Sequence, residues 1–274
     1  LYHSVNTYIG RLIEKGYRVA IAEQLTDPAL SKGLVERNIV RIVTPGTVLE
    51  DNLLNSDQNN YVACVRTQNN EVGLAYADIS TGEFDVFVCD DSDQTGQVLQ
   101  ELLRVGPSEI IADDASMALF DDDFRQRCSV VPRVFHTQIC GSYLSCMKML
   151  SQKFGFEQTD TQTQKMTQAG AGVAAMLLEY LTQTQRGVLE QMRTLTLQYA
   201  NTYMRLDPGV IETLELLKSL HGGQKRRSLL GILDCTHTSM GARMLRKWVE
   251  RPLNNALQIN SRLDAVEALF GDNA

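Results

Sequence analysis

The sequence predicts an α/β domain followed by an all-α region, with a short α+β segment at the amino-terminal end. Three observations support this fold class. At 274 residues the chain is long enough for about two domains of roughly 100–200 residues each. Its composition, 43% hydrophobic and 22% charged, is that of an ordinary globular chain. The hydrophobic period changes from two, which is typical of strands, to 3.6, which is typical of helices, close to residue 168.

The first 46 residues carry the patterns of a helix and two strands. Apolar residues at helical spacing predict a helix over residues 5–15. Two strands are predicted after it, at residues 17–21 and 38–43. The turn-forming residues 44–47 then mark a domain boundary, so residues 1–46 are predicted to form a small α+β segment.

Three strands lie close together in the middle of the chain, at residues 61–65, 72–77 and 84–88. Short turn signals separate them, which indicates an antiparallel meander. Helices and strands then alternate as far as the polar stretch at residues 158–168. This order of elements is that of ribonuclease-H-like domains and predicts such a fold for residues 47–160. The further predicted elements are helices at 97–105 and 143–154 and strands at 109–112 and 129–135.

Residues 161–274 are predicted to form a helical domain. A long apolar stripe at helical spacing begins at Ala169. Ser239 is predicted to cap a later helix, in which Met240 and Met244 face inward. The other predicted inward residues of that helix are Leu245 and Trp248, its predicted outward residues are Arg243, Arg246 and Lys247, and further helices are predicted at 229–233 and 255–270.

Charge divides the chain at the same places. The whole chain has a formal net charge of −7. Residues 47–160 hold 7 Lys and Arg against 19 Asp and Glu, a net charge of −12, whereas residues 1–46 and 161–274 carry +2 and +3. Because a polyanion is repelled by such an acidic block, the middle third is not expected to grip nucleic acid.

The motifs of common catalytic sites are absent from the sequence. No phosphate-binding G-x-x-x-x-G-K-[ST], no H-E-x-x-H and no nucleophile elbow occurs, so we expect no catalytic or metal site. The six cysteines never form a C-x-x-C pair, which favours reduced thiols in a cytosolic protein. No stretch of about 18 apolar residues occurs, so no transmembrane helix is predicted.

One set of carboxylates leaves a nuclease open as an alternative. Asp78 lies at the end of a predicted strand, Asp85 lies on the next strand, and Asp113 and Asp114 follow another. Carboxylates at strand ends can hold two metal ions that activate water for phosphodiester cleavage. In the other interpretation these residues stabilise turns or point to water.

The basic run Lys225–Arg227 also has two interpretations. It precedes a predicted helix start and could reach a phosphate group. Three charged residues in a loop after two glycines are also commonly just solvated.

Many short segments of this sequence, in this order, resemble the MutS family of bacterial mismatch-repair proteins. No single segment is specific, but their joint occurrence over nearly the whole chain is. The segments are residues 2–5, 21–24, 27–28, 31–33, 36–37, 40–47, 76–84, 181–185, 204–207, 228–234 and 238–248.

The resemblance implies a role that composition does not. Members of the family are dimers that clamp mispaired or looped DNA, use ATP with Mg²⁺ and recruit MutL. A Phe-x-Glu wedge that unstacks the mispair would lie before residue 1, and the ATPase would lie after residue 274. On this basis residues 1–46 would end the mismatch-binding domain, residues 47–160 would be the connector domain, and residues 161–274 would begin the core or lever domain. The chain would need no cofactor of its own.

The resemblance also points to DNA-contacting positions and to a location. The family's corresponding stretch approaches the DNA backbone, which makes Lys32, Gly33, Glu36 and Arg37 candidate DNA-binding residues. The family often has Pro where this sequence has Leu34. A cytoplasmic, nucleoid-associated protein without a membrane segment is implied.

The sequence therefore favours a non-catalytic part of a MutS protein that transmits conformational signals between DNA reading and ATP hydrolysis. Its connector domain would offer the surface for MutL. The alternatives are a metal-dependent ribonuclease-H-like nuclease that uses Asp78, Asp85 and Asp113, and a module for protein interaction alone.

Overall fold

The computed structural model describes residues 2–24, 37–50, 53–89, 93–139, 142–156, 165–185 and 189–271. The chain forms two separately packed units. Unit one comprises Leu1–Asn55, Asn59–Val88 and Gln94–Leu197, and unit two comprises Ser56–Gln58, Cys89–Asp93 and Gln198–Ala274.

Unit one begins with a helix and a two-stranded sheet, close to the predicted positions. Helix α1 (Tyr2–Glu14) ends where Gly16 takes a positive φ of 77° and donates its N–H to the carbonyl of Ile13. Strands β1 (Val19–Gln24) and β2 (Arg37–Val43) pair antiparallel. A small apolar core under them contains Ile9, Val43 and Val48.

A mixed sheet forms the centre of unit one. Strands β3 (Tyr61–Gln68), β4 (Glu71–Asp78) and β5 (Glu83–Val88) form the predicted antiparallel meander. The turn between β3 and β4 consists of Asn69 and Asn70, both with positive φ, as two-residue hairpins require. The central stretches of these strands are buried. The mixed α/β class predicted for this part of the chain is confirmed.

Three further strands complete the sheet. Strand β6 (Glu109–Ala112) runs parallel to β3, and β7 (Arg133–Val134) runs parallel to β6. Strand β8 (Thr196–Tyr199) lies next to β5, so the spatial order is β7-β6-β3-β4-β5-β8. The strand predicted at 129–135 shortens to two residues, because Pro132 has no N–H to donate to a ladder.

Besides α1, unit one contains four described α-helices. They are α2 (Gln94–Val105), α3 (Asp122–Arg127), α4 (Tyr143–Phe154) and α5 (Gln168–Thr184). Helix α5 is buried along almost its whole length and contacts β3, β4 and α4. The domain boundary at 160/161 stays a prediction, and in the structure α5, which follows that boundary, packs in the unit that contains the sheet.

Unit two is mainly helical. Its helices are α6 (Pro208–Thr213), α7 (Leu229–Leu233), α8 (Ser239–Glu250) and α9 (Ala256–Gly271). The helical domain predicted for residues 161–274 also contains strand β8, which belongs to the six-stranded sheet. Residues Tyr203 and Leu253 form an isolated antiparallel bridge. Within the described residues, no helix combines the length and the apolar character that crossing a bilayer requires.

Two predictions for helix α8 are wrong. The capping residue is Thr238, whose side chain accepts a hydrogen bond from the Gly241 N–H, and not Ser239. Met240 and Met244 are 79% and 57% exposed rather than buried. Helical spacing identifies the apolar side of a helix, but it does not say whether another element covers that side.

Candidate functional site

Of the four candidate DNA-binding positions, only Arg37 lies within the described residues. Lys32, Gly33 and Glu36 lie outside them. Arg37 is the first residue of β2, is exposed, and stands opposite Gln24 in the ladder. Its side chain is therefore accessible to solvent.

The base of this two-stranded sheet meets the six-stranded sheet at a buried carboxylate. Glu109, the first residue of β6, is 3% exposed. Its Oε1 accepts a hydrogen bond of 2.6 Å from the Tyr180 hydroxyl and lies 3.5 Å from Nη2 of Arg18. Its Oε2 accepts from the Thr44 hydroxyl and, at 3.4 Å, from the Gly46 N–H. These five residues are called the Glu109 cluster below.

The turn after β2 presents Thr44 to this carboxylate. The Thr47 hydroxyl accepts from the Thr44 N–H at 3.0 Å and lies 2.9 Å from the Thr44 hydroxyl. Gln185, just after α5, donates from Nε2 to the Thr47 carbonyl at 3.0 Å. The turn is therefore held by its own hydroxyls and by the end of α5.

Tyr180 lines the other side of the cluster. Burial, and then the negative charge of Glu109, raise the pKa of its hydroxyl far above the usual range. The hydroxyl therefore stays protonated and donates to the carboxylate. The Arg18 guanidinium lies 5.6 Å from the centre of the Tyr180 ring, and Phe135 meets that ring edge-on.

Sequence reasoning missed the Glu109 cluster. A signal was present, because Glu109 opens an otherwise apolar strand, and a charged residue in such a strand must find partners when it is buried. Its partners lie 65 and 71 residues away in the sequence, and only the fold brings them together.

Asp78, the first of the nuclease carboxylates, is fully buried and bound to its own turn. Its Oδ2 accepts from Nδ2 of Asn59 at 2.9 Å and from the Asn60 N–H at 3.0 Å. Its Oδ1 accepts from the Ser80 N–H at 2.8 Å and from the Ser80 hydroxyl at 2.7 Å. Protein donors therefore engage both oxygens, which is the turn-stabilising role.

Asp78 and Asp113 lie toward opposite ends of the sheet. Asp78 pairs with Tyr61, whereas Asp113 follows Ala112, which pairs with Val65. Four to five residues of β3 separate them, about 15 Å at about 3.4 Å per residue, which is too far for one two-metal site. Asp113 accepts from the Ser116 N–H at 3.0 Å.

The other two carboxylates, Asp85 and Asp114, do not complete a metal site for a nuclease either. Asp85 is buried on β5 opposite Tyr76, and Asp114 lies 3.2 Å from Nδ1 of His136 on the surface. Among the described residues, no group of three or more His, Cys, Asp or Glu side chains could hold a metal ion. Nothing in this geometry supports the nuclease.

In unit two, the basic run Lys225–Arg227 is neither wholly solvated nor arranged as a phosphate site. Nζ of Lys225 lies 2.7 Å from Asp57 and 2.9 Å from Asp234, so its charge is neutralised. The other two members of the run, Arg226 and Arg227, are exposed. Hydrogen bonds from Thr236, and then the Lys225 ammonium, lower the pKa of Asp234 to about 2.

These features define a class of protein. A mixed α/β unit carries a docked two-stranded sheet with an exposed arginine, and a second unit is mainly helical. The catalytic candidates Asp78 and Asp113 accept hydrogen bonds from backbone N–H groups of their own turns. That is the architecture of a multidomain protein.

Comparison with known families identifies the family of this chain. Family models of MutS domain I, MutS domain II and MutS domain III match residues 2–52, 60–193 and 210–274. The three matches follow one another along nearly the whole chain. This chain belongs to the MutS family, and the resemblance seen in its sequence is confirmed.

Curated relatives agree with this assignment. The chain is 36% identical over 275 residues to a protein of Clostridioides difficile, and 38% identical over 280 residues to one of Desulforamulus reducens. Both are named DNA mismatch repair protein MutS. The alignments cover 99% and 98% of this chain but 28% and 31% of the relatives, so the chain spans about three tenths of their length.

Proposed function

We propose that this chain is the part of a mismatch-recognition MutS that links DNA reading to ATP hydrolysis, without catalysis of its own. The observation that carries the proposal is the match to MutS domains I, II and III in family order. The whole protein would bind mispaired or looped duplex DNA and, with ATP and Mg²⁺, recruit MutL to begin repair. It would act as a homodimer in the bacterial cytoplasm, associated with the nucleoid.

We further propose a ribonuclease-H-like fold for the connector domain. The strand order β7-β6-β3-β4-β5, with β3 to β5 antiparallel and β6 and β7 parallel to β3, supports this assignment. The engaged Asp78 and the distant Asp113 support a connector that has this fold without nuclease chemistry.

The acidic charge in the middle of the chain supports a protein-binding surface there rather than a DNA-binding surface. Residues 47–160 carry a net charge of −12, and such a surface favours a protein partner over a phosphate backbone. We propose MutL as that partner. The signal would travel as a rigid-body movement of the connector against the lever. Binding of a mismatch and of ATP would each shift the equilibrium between the two positions of the connector.

The first experiment tests whether the chain lacks ATP hydrolysis and mismatch recognition of its own. The purified chain should hydrolyse no ATP and should bind a G·T duplex no better than the matched duplex. The full-length relative from Clostridioides difficile serves as the positive control in both assays. A clear mismatch preference of the chain, or ATP hydrolysis by it, would contradict the proposed role.

The second experiment tests the partner surface. The immobilised chain should retain purified MutL at low salt and release it as the ionic strength rises, since the proposed surface is acidic. An immobilised protein of similar net charge is the control for non-specific retention. If the control retains MutL equally well, the connector is not a specific MutL surface.

A further inference from the structure

The Glu109 cluster joins both strands of the β1–β2 sheet, at one end of that sheet, to one carboxylate. Arg18 immediately precedes β1, and Thr44 immediately follows β2. Both reach Glu109, and so does Tyr180 from helix α5. We infer that Glu109 is a positioning residue that fixes the two-stranded sheet, with Arg37 at its far end, against the six-stranded sheet.

The arrangement of the donors makes this contact specific. A buried carboxylate is tolerated only when its oxygens are paired, and here each oxygen has two partners. If the two-stranded sheet moved away, Glu109 would lose Arg18, Thr44 and the Gly46 N–H together and would remain buried beside Tyr180. The cost of that unpaired charge opposes any swivel at this junction.

Steric contacts support the same conclusion. A side chain at Gly46 would place its Cβ 2.4 Å from Cγ2 of Val62 and 3.0 Å from Cβ of Glu109, so the backbone already lies against β3 and β6. Arg133 donates from Nη2 to the carbonyl of Gly16, which gives a further contact before β1. The sheet is held on both sides of its base, by contacts from three elements of unit one.

This inference deepens the proposed function. Only the consequence for DNA signalling rests on that function. If the two-stranded sheet carries DNA contacts, the Glu109 cluster transmits their displacement directly to the connector domain. The positioning itself is a property of unit one and can be measured without DNA. Failure of one claim is therefore distinguishable from failure of the other.

Amide hydrogen exchange on the intact 274-residue chain tests the positioning role. Tyr180→Phe and Thr44→Val each remove one hydroxyl donor to Glu109. In both variants we expect amides of β1 and β2 to exchange at least about tenfold faster, which corresponds to about 1.4 kcal/mol. Amides of β3 and β4 should change by less than about threefold, because their own ladder is untouched.

Tyr76→Phe is the matched control. Tyr76 is also buried in unit one and donates its hydroxyl to a glutamate, Glu101, at 3.2 Å, and neither residue belongs to the Glu109 cluster. Its loss should leave exchange in β1 and β2 unchanged. The inference is overturned if both cluster variants leave β1 and β2 protected, if β3 and β4 lose protection equally, or if Tyr76→Phe has the same effect.

Discussion

Asp78 shows how one carboxylate can suggest catalysis in a sequence and serve structure in the fold. Its oxygens accept four hydrogen bonds, from Asn59, the Asn60 N–H and two donors of Ser80. In Asp78→Asn, the side-chain NH2 group replaces one carboxylate oxygen. It would then face an N–H or O–H donor and could not accept a hydrogen bond from it. We expect the free energy of unfolding to fall by about 1–3 kcal/mol, as measured by urea denaturation followed by circular dichroism.

Asp123→Asn is the control for this prediction, because Asp123 is exposed and its ion pair with Arg127 spans 3.5 Å. It should change stability by less than about 1 kcal/mol. Both variants and the wild type should leave branched DNA intact in Mg²⁺ or Mn²⁺. Cleavage by the wild type that Asp78→Asn abolishes would restore the nuclease and contradict the turn role.

Asp234 gives unit two a defined response to acid. Hydrogen bonds from Thr236, and then Lys225, lower the pKa of Asp234 from 3.8 to about 2. A depressed carboxyl pKa stabilises the folded state fully above the unfolded value, and this contribution is lost as pH falls toward the folded value. The loss should therefore occur between about pH 4 and pH 2. Asp234→Asn should flatten the pH dependence of unfolding in that window, when unfolding is followed by Trp248 fluorescence.

The pH prediction has its own control. Asp207 is a carboxylate of the same unit that caps α6 through the Gly209 N–H and does not contact Lys225 in the described hydrogen bonds or ion pairs. Asp207→Asn should keep the Asp234-dependent slope. An unchanged slope in Asp234→Asn would show that the contacts of Asp234 with Thr236 and Lys225 do not stabilise the fold.

At the scale of elements, helix α5 lies so close to the sheet that one strand position must be glycine. A Cβ on Gly73 of β4 would lie 2.6 Å from the Ala169 carbonyl oxygen and 2.9 Å from Cγ1 of Val173. Gly73→Ala should therefore force the helix away and lower the free energy of unfolding by about 1–3 kcal/mol in urea denaturation.

Gly170 in the same helix supplies the matched comparison. A Cβ there would meet only ordinary contacts, at 3.4 Å from Cγ of Met166 and Oγ1 of Thr167. Gly170→Ala should stabilise the chain by about 0.5–1 kcal/mol, because alanine favours a helix over glycine. Equal effects of the two substitutions would mean that close packing of α5 on β4 does not limit position 73.

The elements that the sequence predicted well are those whose side chains follow one clear period. Strands β3 to β6 and helices α4 and α7 lie within a few residues of their predicted positions. The short helices α3 and α6 and strand β8 were missed. Each holds at most two adjacent apolar residues, whereas the equally short β6 and α7 are almost wholly apolar. Their positions depend on tertiary contacts and caps, such as Asp121 for α3.

At the scale of the whole molecule, the resemblance identified the family, while the junction between its parts was not predictable. The candidate DNA positions came from local segments of sequence. Glu109, Thr44 and Tyr180 have no local pattern in common, and long-range pairing of single polar residues leaves no periodic signal. The sequence could therefore divide the chain into parts, but it could not say which part was fixed to which.

The two units bury very different numbers of apolar side chains. Within the described residues, most buried apolar side chains belong to unit one, whereas unit two contributes Leu230 and Ala242. Unit two should therefore be less stable, because burial of apolar surface is the main favourable term in folding. Trp248 is the single tryptophan of the chain and lies in unit two, where Arg262 stacks on its ring at 4.5 Å. Its fluorescence therefore reports on unit two alone.

In urea, the Trp248 fluorescence transition should precede the main loss of far-ultraviolet circular dichroism, to which both units contribute. Two variants assign the transitions, because each truncates a buried leucine in one unit at a cost of about 2–5 kcal/mol. Leu230→Ala in α7 should lower the fluorescence midpoint alone, and Leu102→Ala in α2 should lower the main dichroism midpoint alone. Coincident transitions that both variants shift together would show a single cooperative body. A single cooperative body would not offer two units that move against each other, so the same result would also contradict transmission by rigid-body movement.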